Sequence, residues 1–316
     1  MNESSRTESA CGICANTVDN RVVLAEERMY GMGDTFRYLH CGACGVLHLM
    51  DIPADLGRYY TADGYYSVNS AQGRLRRWLM RRRDQGCAGR SVVGSLLERR
   101  FPNPTLVSAL AVAQPDSRIL DVGCGGGALL KSMAALGFRH LTGVDPLLAQ
   151  SSGADGVRLI SGELPCVEGQ FDVVMFHHSL EHMASQVPML AAARERLAPG
   201  GVVLVRIPTC ESLAFETYGA RWFQLDAPRH LFLHSHRSIR RIAEQAGLAV
   251  ASIVCDSQTM QFWASEMYVD DVPLMSPRMP EYRDRDPKFQ RRLAQWANDH
   301  GRGDQIVVRM AAQASG

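Results

Sequence analysis

Apolar and polar positions divide the chain into four stretches of different pattern. Residues 1–10 are polar and lack an apolar period, which predicts a disordered tail. Residues 11–55 carry short β-like runs at Arg21–Leu24, Phe36–Leu39 and Val46–Met50. Residues 56–104 read as a helical connector. Within it Leu75, Trp78 and Leu79 recur at the spacing of an amphipathic helix packed by one face. From Ser117 onward, short apolar runs alternate with amphipathic ones. The apolar runs predict strands at 118–122, 140–144, 157–160, 172–176, 201–207, 248–256 and 305–311. The amphipathic runs predict helices at 126–137, 186–198 and 236–246, with Gly137, Gly200, Gly201 and Gly247 standing where helices should stop. This alternation indicates an α/β domain over 105–316, a mostly parallel sheet covered on both faces. Residues 262–302 interrupt its last two strands with a Pro-, Met- and Trp-bearing segment, read as a helical insertion or lid.

Composition narrows the possibilities. A length of 316 residues leaves room for one sizeable domain and a smaller module, and 46% hydrophobic with 21% charged residues is ordinary for a soluble globular protein. No apolar stretch reaches the length of a membrane span. The N-terminus lacks the apolar core of a secretory signal, so a cytoplasmic location is expected. A net charge of +1 argues against a nucleic-acid coat. Among the 34 basic residues only Lys131 and Lys288 are lysine, so an arginine in this chain is weak evidence for phosphate recognition.

The strongest chemical signal is the run Ile119-Leu120-Asp121-Val122-Gly123-Cys124-Gly125-Gly126-Gly127-Ala128, placed after a strand and before a helix. Glycines there let the backbone approach a nucleotide-like ligand, and the helix start offers free N–H groups. Gly123-x-Gly125-x-x-Ala128 also satisfies the dinucleotide fingerprint, so the glycines alone leave two readings open. Asp145, 22 residues after Gly123 at the end of the second strand, suits a ribose diol under either reading. Cys124, between glycines, reads as a small residue fitting the turn rather than a nucleophile.

Asp121, two residues before the first glycine, makes the run resemble the DxGxGxG signature of class I S-adenosylmethionine-dependent methyltransferases. Ser161-Gly162-Glu163-Leu164-Pro165, Phe176-His177-His178-Ser179-Leu180-Glu181-His182, Leu197-Ala198-Pro199-Gly200-Gly201 and Trp222-x-x-x-Asp226-Ala227-Pro228-Arg229-His230-Leu231 are similar to later segments of that family, the last to a subgroup with sugar and natural-product substrates. The resemblance implies a Rossmann-like, doubly wound, seven-stranded sheet whose last strand is antiparallel. It implies a cofactor site at Asp121, Gly123, Gly125, Gly127, Asp145, Glu163 and His177, with Asp121 near the methionine end, Asp145 at the ribose and Glu163 at the adenine. Tyr66, with Tyr65, is expected to close over the cofactor or to pack the connector.

Cys11-x-x-Cys14 and Cys41-x-x-Cys44 form two knuckles separated by 26 residues. Four thiolates close a tetrahedral site, so a structural zinc ribbon is expected over residues 11–55. A module this small should depend on its metal to fold. Similar cysteine modules occur in nucleotide-sugar C-methyltransferases and, with a tighter ligand set, in a ribosomal-RNA guanine methyltransferase family. His40 and His48 flank the knuckles but are not needed as ligands.

Methyl transfer needs in-line positioning, and a hydroxyl or acidic-carbon acceptor also needs a base. His178, His182 and His230 belong to segments that such a fold places over the C-terminal edge of the sheet. His182 or His230 is the candidate base and His178 the candidate neighbour of the methyl. The alternative is that Glu181 and His182 only orient a loop. His234 and His236, beside Ser235 and Ser238, look like helix-start residues. Arg74, Arg76, Arg77, Arg81, Arg82 and Arg83 read as a solvated basic face, or as a surface for a nucleotide diphosphate, RNA or an acidic membrane.

The function expected is methyl transfer from S-adenosylmethionine to O, N or C of a small polar metabolite, an acceptor of anionic or nucleotide-linked type included. An RNA methyltransferase, a non-catalytic cofactor-binding scaffold and a nicotinamide dehydrogenase are the alternatives. The sequence carries no sign of the oligomeric state.

Overall fold

The structure, a computed structural model, describes residues 5–60, 74–154 and 156–313. Two sheets organise it. The larger contains β5 (Arg118–Val122), β6 (His140–Asp145), β7 (Ser152–Ala154), β8 (Val157–Ser161), β9 (Phe171–His177), β10 (Leu197–Pro208), β12 (Leu248–Cys255) and β13 (Gln305–Ala312). Its spatial order is β12-β13-β10-β9-β5-β6-β8-β7. All seven expected strands are present, and β13 is antiparallel to both its neighbours. An eighth, β7, is a three-residue strand antiparallel to β8 at the edge, too short to register as a period-two run.

The strands alternate their apolar residues between two helical layers. Val174 and Phe176 of β9, with Val203 and Val205 of β10, pack under α5 (Gln186–Glu195) and α7 (His236–Gln245). Val173 and Met175, with Val202 and Leu204, pack under α3 (Pro104–Leu110) and α4 (Ala128–Ala135). β9 and β10 are covered on both faces, which is why their runs are continuously apolar. The crossovers α4 and α5 return the chain so that the loops after β5, β6, β8, β9 and β10 meet at one edge, where an open α/β sheet binds its ligands.

The N-terminal sheet runs β1 (Ser5–Thr7), β2 (Asn20–Glu26), β3 (Thr35–His40), β4 (Leu47–Leu49) and β11 (Phe232–Leu233). Ser5–Thr7, expected as part of a disordered tail, instead pairs antiparallel with β2. The fifth strand, β11, comes from far along the chain and pairs with β4 at Phe232↔His48. The ribbon sheet therefore extends beyond the interval 11–55. Between β12 and β13 lie α8 (Met260–Val269), α9 (Met279–Arg283) and α10 (Pro287–Asp299). Trp263, Met267 and Tyr282 of this segment close a core with Met29 of the ribbon, and Leu274 N–H donates to Arg28 O at 3.2 Å.

The connector forms a hairpin of α1 (Arg74–Cys87) and α2 (Val92–Arg100). The backbones touch at glycines: a Cβ on Gly94 would lie 2.1 Å from Arg82 O, and one on Gly86 2.0 Å from Gly94 C. Buried Asp84 accepts from Asn103 Nδ2 at 3.2 Å and so ties the hairpin to the start of α3. The expected packing of Leu75 and Trp78 is not what the structure has, since both point to solvent, at 71% and 50% exposure, and Leu79 alone of the three is half-buried. The hairpin packs by its small residues, Cys87 and Ala88 among them, so the larger apolar side chains are left on the outer side.

Candidate active site

The glycine loop crosses from β5 to α4 with Gly123, Gly125 and Gly127 all at positive φ, a conformation that costs a side chain with a Cβ. Gly123 has a second reason to be glycine, because a Cβ there would lie 2.4 Å from Ser179 Cβ. Ser179 Oγ in turn donates to Val122 O at 2.6 Å and fixes the segment after β9 against the loop. Asp145 at the end of β6 holds the loop from the other side. Its carboxylate accepts from Gly125 N at 2.8 Å and from Leu147 N at 2.8 Å. The carboxylate that should meet a ribose thus also shapes the loop beside it, and each oxygen keeps a lone pair beyond its backbone bond. Glu163 follows β8 as an exposed residue, with the neighbouring Gly162 N–H donating to Asp145 O at 3.2 Å.

Asp121 and His177 along this edge have buried polar atoms without a hydrogen-bond partner among the described residues. Asp121 Oδ1 has none, and burial followed by the nearby charge of Asp145 pushes its carboxyl up to about 7. Both ring nitrogens of His177 also have none, and burial lowers that imidazole to about 3, with Arg206 adding to the effect. Unpaired buried polar atoms are costly and rare in a finished protein. An orphaned carboxylate oxygen at the end of β5, a glycine cradle that a Cβ would fill, and a second carboxylate at the end of β6 fit a nucleoside bearing a cationic tail, as S-adenosylmethionine does. Cys124 is no nucleophile: burial, then the Asp121 and Asp145 charges, push its thiol up to about 12.

Beyond Ser179, a 3-10 turn Leu180–His182 brings Glu181 into the core with no exposed surface. His178, at φ +52°, donates from Nδ1 to Glu181 Oε1 at 3.2 Å. Its Nε2 accepts from Arg206 Nη1 and, at 3.0 Å, from Gln305 Nε2. Both ring nitrogens of His178 are thereby hydrogen-bonded within the protein. Arg206 is itself held by Asp256 Oδ2 at 2.6 Å. Burial raises the Glu181 carboxyl, but the His178 hydrogen bond, with positive charge on the neighbouring imidazoles when they are protonated, brings it down to about 2. Its Oε2 has no hydrogen-bond partner among the described residues.

His182 and His230 stand edge to face with ring centroids 4.8 Å apart. His182 Nδ1 is 2.8 Å from Arg229 O and His230 Nδ1 is 2.7 Å from Gln224 O. A carbonyl only accepts, so each Nδ1 carries the proton and each Nε2 the lone pair of the neutral ring. Burial first, then His230, lowers His182 below the ordinary imidazole value. Asp226 Oδ2 lies 3.8 Å from His230 Nε2. One ligand-type atom from each of Glu181, His182 and His230 lies within 4.8 Å of the others, a donor set of the kind that holds a divalent cation. Tyr60 Oη approaches His182 Nδ1 at 3.1 Å, a partner that no local pattern announced. Tyr65 and Tyr66 lie outside the described residues.

The segment bearing His230 is pinned from the ribbon side. Arg229 is fully buried, with Nη2 on Glu27 Oε1 at 2.9 Å and on Asp226 Oδ1 at 2.6 Å. Tyr38 Oη donates to His230 O at 2.9 Å. The knuckles themselves converge: Cys11 Sγ is 3.7 Å from Cys44 Sγ, and Cys14 Sγ 3.5 Å from Cys41 Sγ. All four sulfurs lie within 4.8 Å of one another, a donor set suited to a closed tetrahedral zinc site. His48 supports the knuckle without being a ligand, its Nε2 accepting from Gly12 N at 3.3 Å. His234 is more than a helix-start residue, because it is buried and joins Gln186 Oε1 at 2.8 Å to Ser238 Oγ at 2.9 Å. Ser235 caps α7 in a capping box with Ser238.

A family model described as a methyltransferase domain matches residues 95–253. Ubiquinone biosynthesis O-methyltransferase of Cereibacter sphaeroides (strain ATCC 17025) is 35% identical over 127 residues, 35% of this chain and 50% of its own length. The enzyme of the same name from Aromatoleum aromaticum is 31% identical over 156 residues, 43% of this chain and 66% of its own. The chain spans about half the length of the curated relatives it matches. Among solved structures, a methyltransferase in complex with a Haloferax volcanii methyltransferase activator aligns with 16% identity and a TM-score of 0.48, covering 77% of this chain and all of that one. A Streptomyces caelestis methyltransferase aligns with 15% identity and a TM-score of 0.41, covering 66% and 88% of the two chains. With a methyltransferase-domain match over half its length, the chain belongs to the class I S-adenosylmethionine-dependent methyltransferases.

Proposed function

We propose that the enzyme methylates an oxygen of a small polar metabolite, with His182 or His230 as the base. The observation that carries this reading is the pair of adjacent imidazoles, His230 buried and His182 half-buried, each fixed by a backbone carbonyl with its Nε2 lone pair in the neutral form. A sulfonium is electrophilic enough for an amine acceptor without help, whereas a hydroxyl needs its proton removed as the new bond forms. The relatives' names support oxygen as the acceptor atom.

Bound S-adenosylmethionine supplies the methyl group on a positively charged sulfur. Asp121 would face the cationic end of that cofactor, Asp145 its ribose and Glu163 its adenine, with Gly123, Gly125 and Gly127 leaving room for close backbone approach. His177, whose ring nitrogens lack partners among the described residues, would complete the cofactor wall. His182 or His230 would take the acceptor's hydroxyl proton at Nε2. Asp226, 3.8 Å from His230 Nε2, would stabilise the imidazolium so formed. Glu181, with His178 behind it, would orient the acceptor and keep water from the reacting pair.

A panel of phenols, catechols and sugar hydroxyls incubated with S-adenosylmethionine tests the proposal, with product mass and S-adenosylhomocysteine as readouts. A methylated hydroxyl acceptor is expected. His182→Ala or His230→Ala should lower kcat roughly 10²–10⁴-fold while cofactor affinity stays nearly intact. Turnover on RNA alone, or undiminished turnover in both variants, would overturn it.

A further inference from the structure

The α1–α2 hairpin carries charge that the methyl-transfer chemistry does not use. Residues 74–101 hold nine arginines and two acidic residues, net +7 in a chain whose total is +1, so the rest of the protein is net negative. Of the two acids, Asp84 is buried and already paired with Arg83 at 2.7 Å. Arg76, Arg81, Arg82, Arg90, Arg99 and Arg100 are exposed, and among the described residues none of them pairs with a carboxylate. Apolar side chains lie in the same helical stripes. Leu75, Trp78 and Arg82 follow i, i+3, i+7 spacing on α1, and Val92, Leu96 and Arg99 follow i, i+4, i+7 on α2. Val92 is 83% exposed and Leu96 61%.

We propose that this hairpin docks the enzyme on an anionic lipid surface. Arginine and apolar side chains interleaved along the exposed surfaces of both helices match the two layers of such a surface, phosphates above and acyl chains below. Trp78, with the Arg82 guanidinium 5.4 Å from its ring centroid, has the amphipathic character that settles at the headgroup level. A nucleic acid would engage the arginines, but it offers nothing to Val92, Val93 and Leu96. The hairpin is suited to present these exposed residues as a unit, because its helices meet backbone to backbone at Gly86 and Gly94. The inference does not depend on the identity of the methyl acceptor.

Flotation of the full chain with lipid vesicles tests it. Vesicles of equal parts phosphatidylcholine and phosphatidylglycerol should carry the protein, and phosphatidylcholine alone should not. Raised salt should release it. Trp78→Ser with Leu96→Ser, and separately Arg81→Gln with Arg82→Gln and Arg100→Gln, should each weaken binding about tenfold or more. Unchanged melting temperature and circular dichroism in these exposed-site variants will show that the fold is intact. Equal binding to neutral and anionic vesicles, full binding by both variants, or salt-sensitive binding to RNA without any to vesicles would overturn the proposal.

Discussion

Asp121 is raised to about 7 by burial and by Asp145, so folding favours its protonated form. Its contribution to stability therefore falls as pH rises from the ordinary carboxylate value through about 7. A cationic ligand reverses the preference, because it binds the ionised carboxylate and draws its proton off. Calorimetry with S-adenosylhomocysteine should accordingly show affinity falling as pH drops through about 7. Asp121→Asn should bind more weakly at high pH and lose that dependence, and a pH slope kept in the variant would refute the role of this residue. The positive-φ glycine turn after β5 was readable in the sequence because that backbone geometry is set by a few consecutive residues. The partners of the histidines were not. Tyr60 reaches His182 across 122 residues and Glu27 reaches Arg229 across 202, and no local period encodes such contacts. His178 looked from the sequence like a neighbour of the methyl, yet Arg206 and Gln305, from two antiparallel strands beyond it, tie up its second nitrogen.

Elements were legible where both faces of a strand are buried, since continuous apolar runs then have one reading. Short ones were not: β7 and β11 have three and two residues and owe their pairing to neighbours. The hairpin shows the opposite failure, a clear helical period whose apolar side faces solvent because glycine and small residues made the contact instead. Gly94→Ala puts a Cβ 2.1 Å from Arg82 O, so the helices must separate. A loss of about 1–3 kcal/mol is expected from such overpacking, read as a drop in melting temperature. If Gly94→Ala melts with the parent chain, the close approach of α1 and α2 is not required.

On the scale of the molecule, ribbon and catalytic sheet are interlocked rather than strung together. β11 completes the ribbon sheet three residues after Arg229, whose guanidinium is buried against Glu27. Breaking a buried pair leaves an uncompensated charge, at about 3–5 kcal/mol. Because Asp226 still faces Arg229, Glu27→Ala should fall near the lower end. If the four cysteines hold zinc, as their donor set suits, the same link means that a chelator should lower the melting temperature of the whole chain and weaken cofactor binding together. An unchanged affinity after chelation would separate the two. Every role assigned above presupposes that the glycine loop holds a methyl donor and not a dinucleotide, two ligands the glycines alone do not distinguish. Titration calorimetry with S-adenosylhomocysteine and with NAD, side by side, tests this most directly. Saturable one-to-one binding of S-adenosylhomocysteine with no comparable heat from NAD is the predicted result, and tighter binding of NAD would contradict the account.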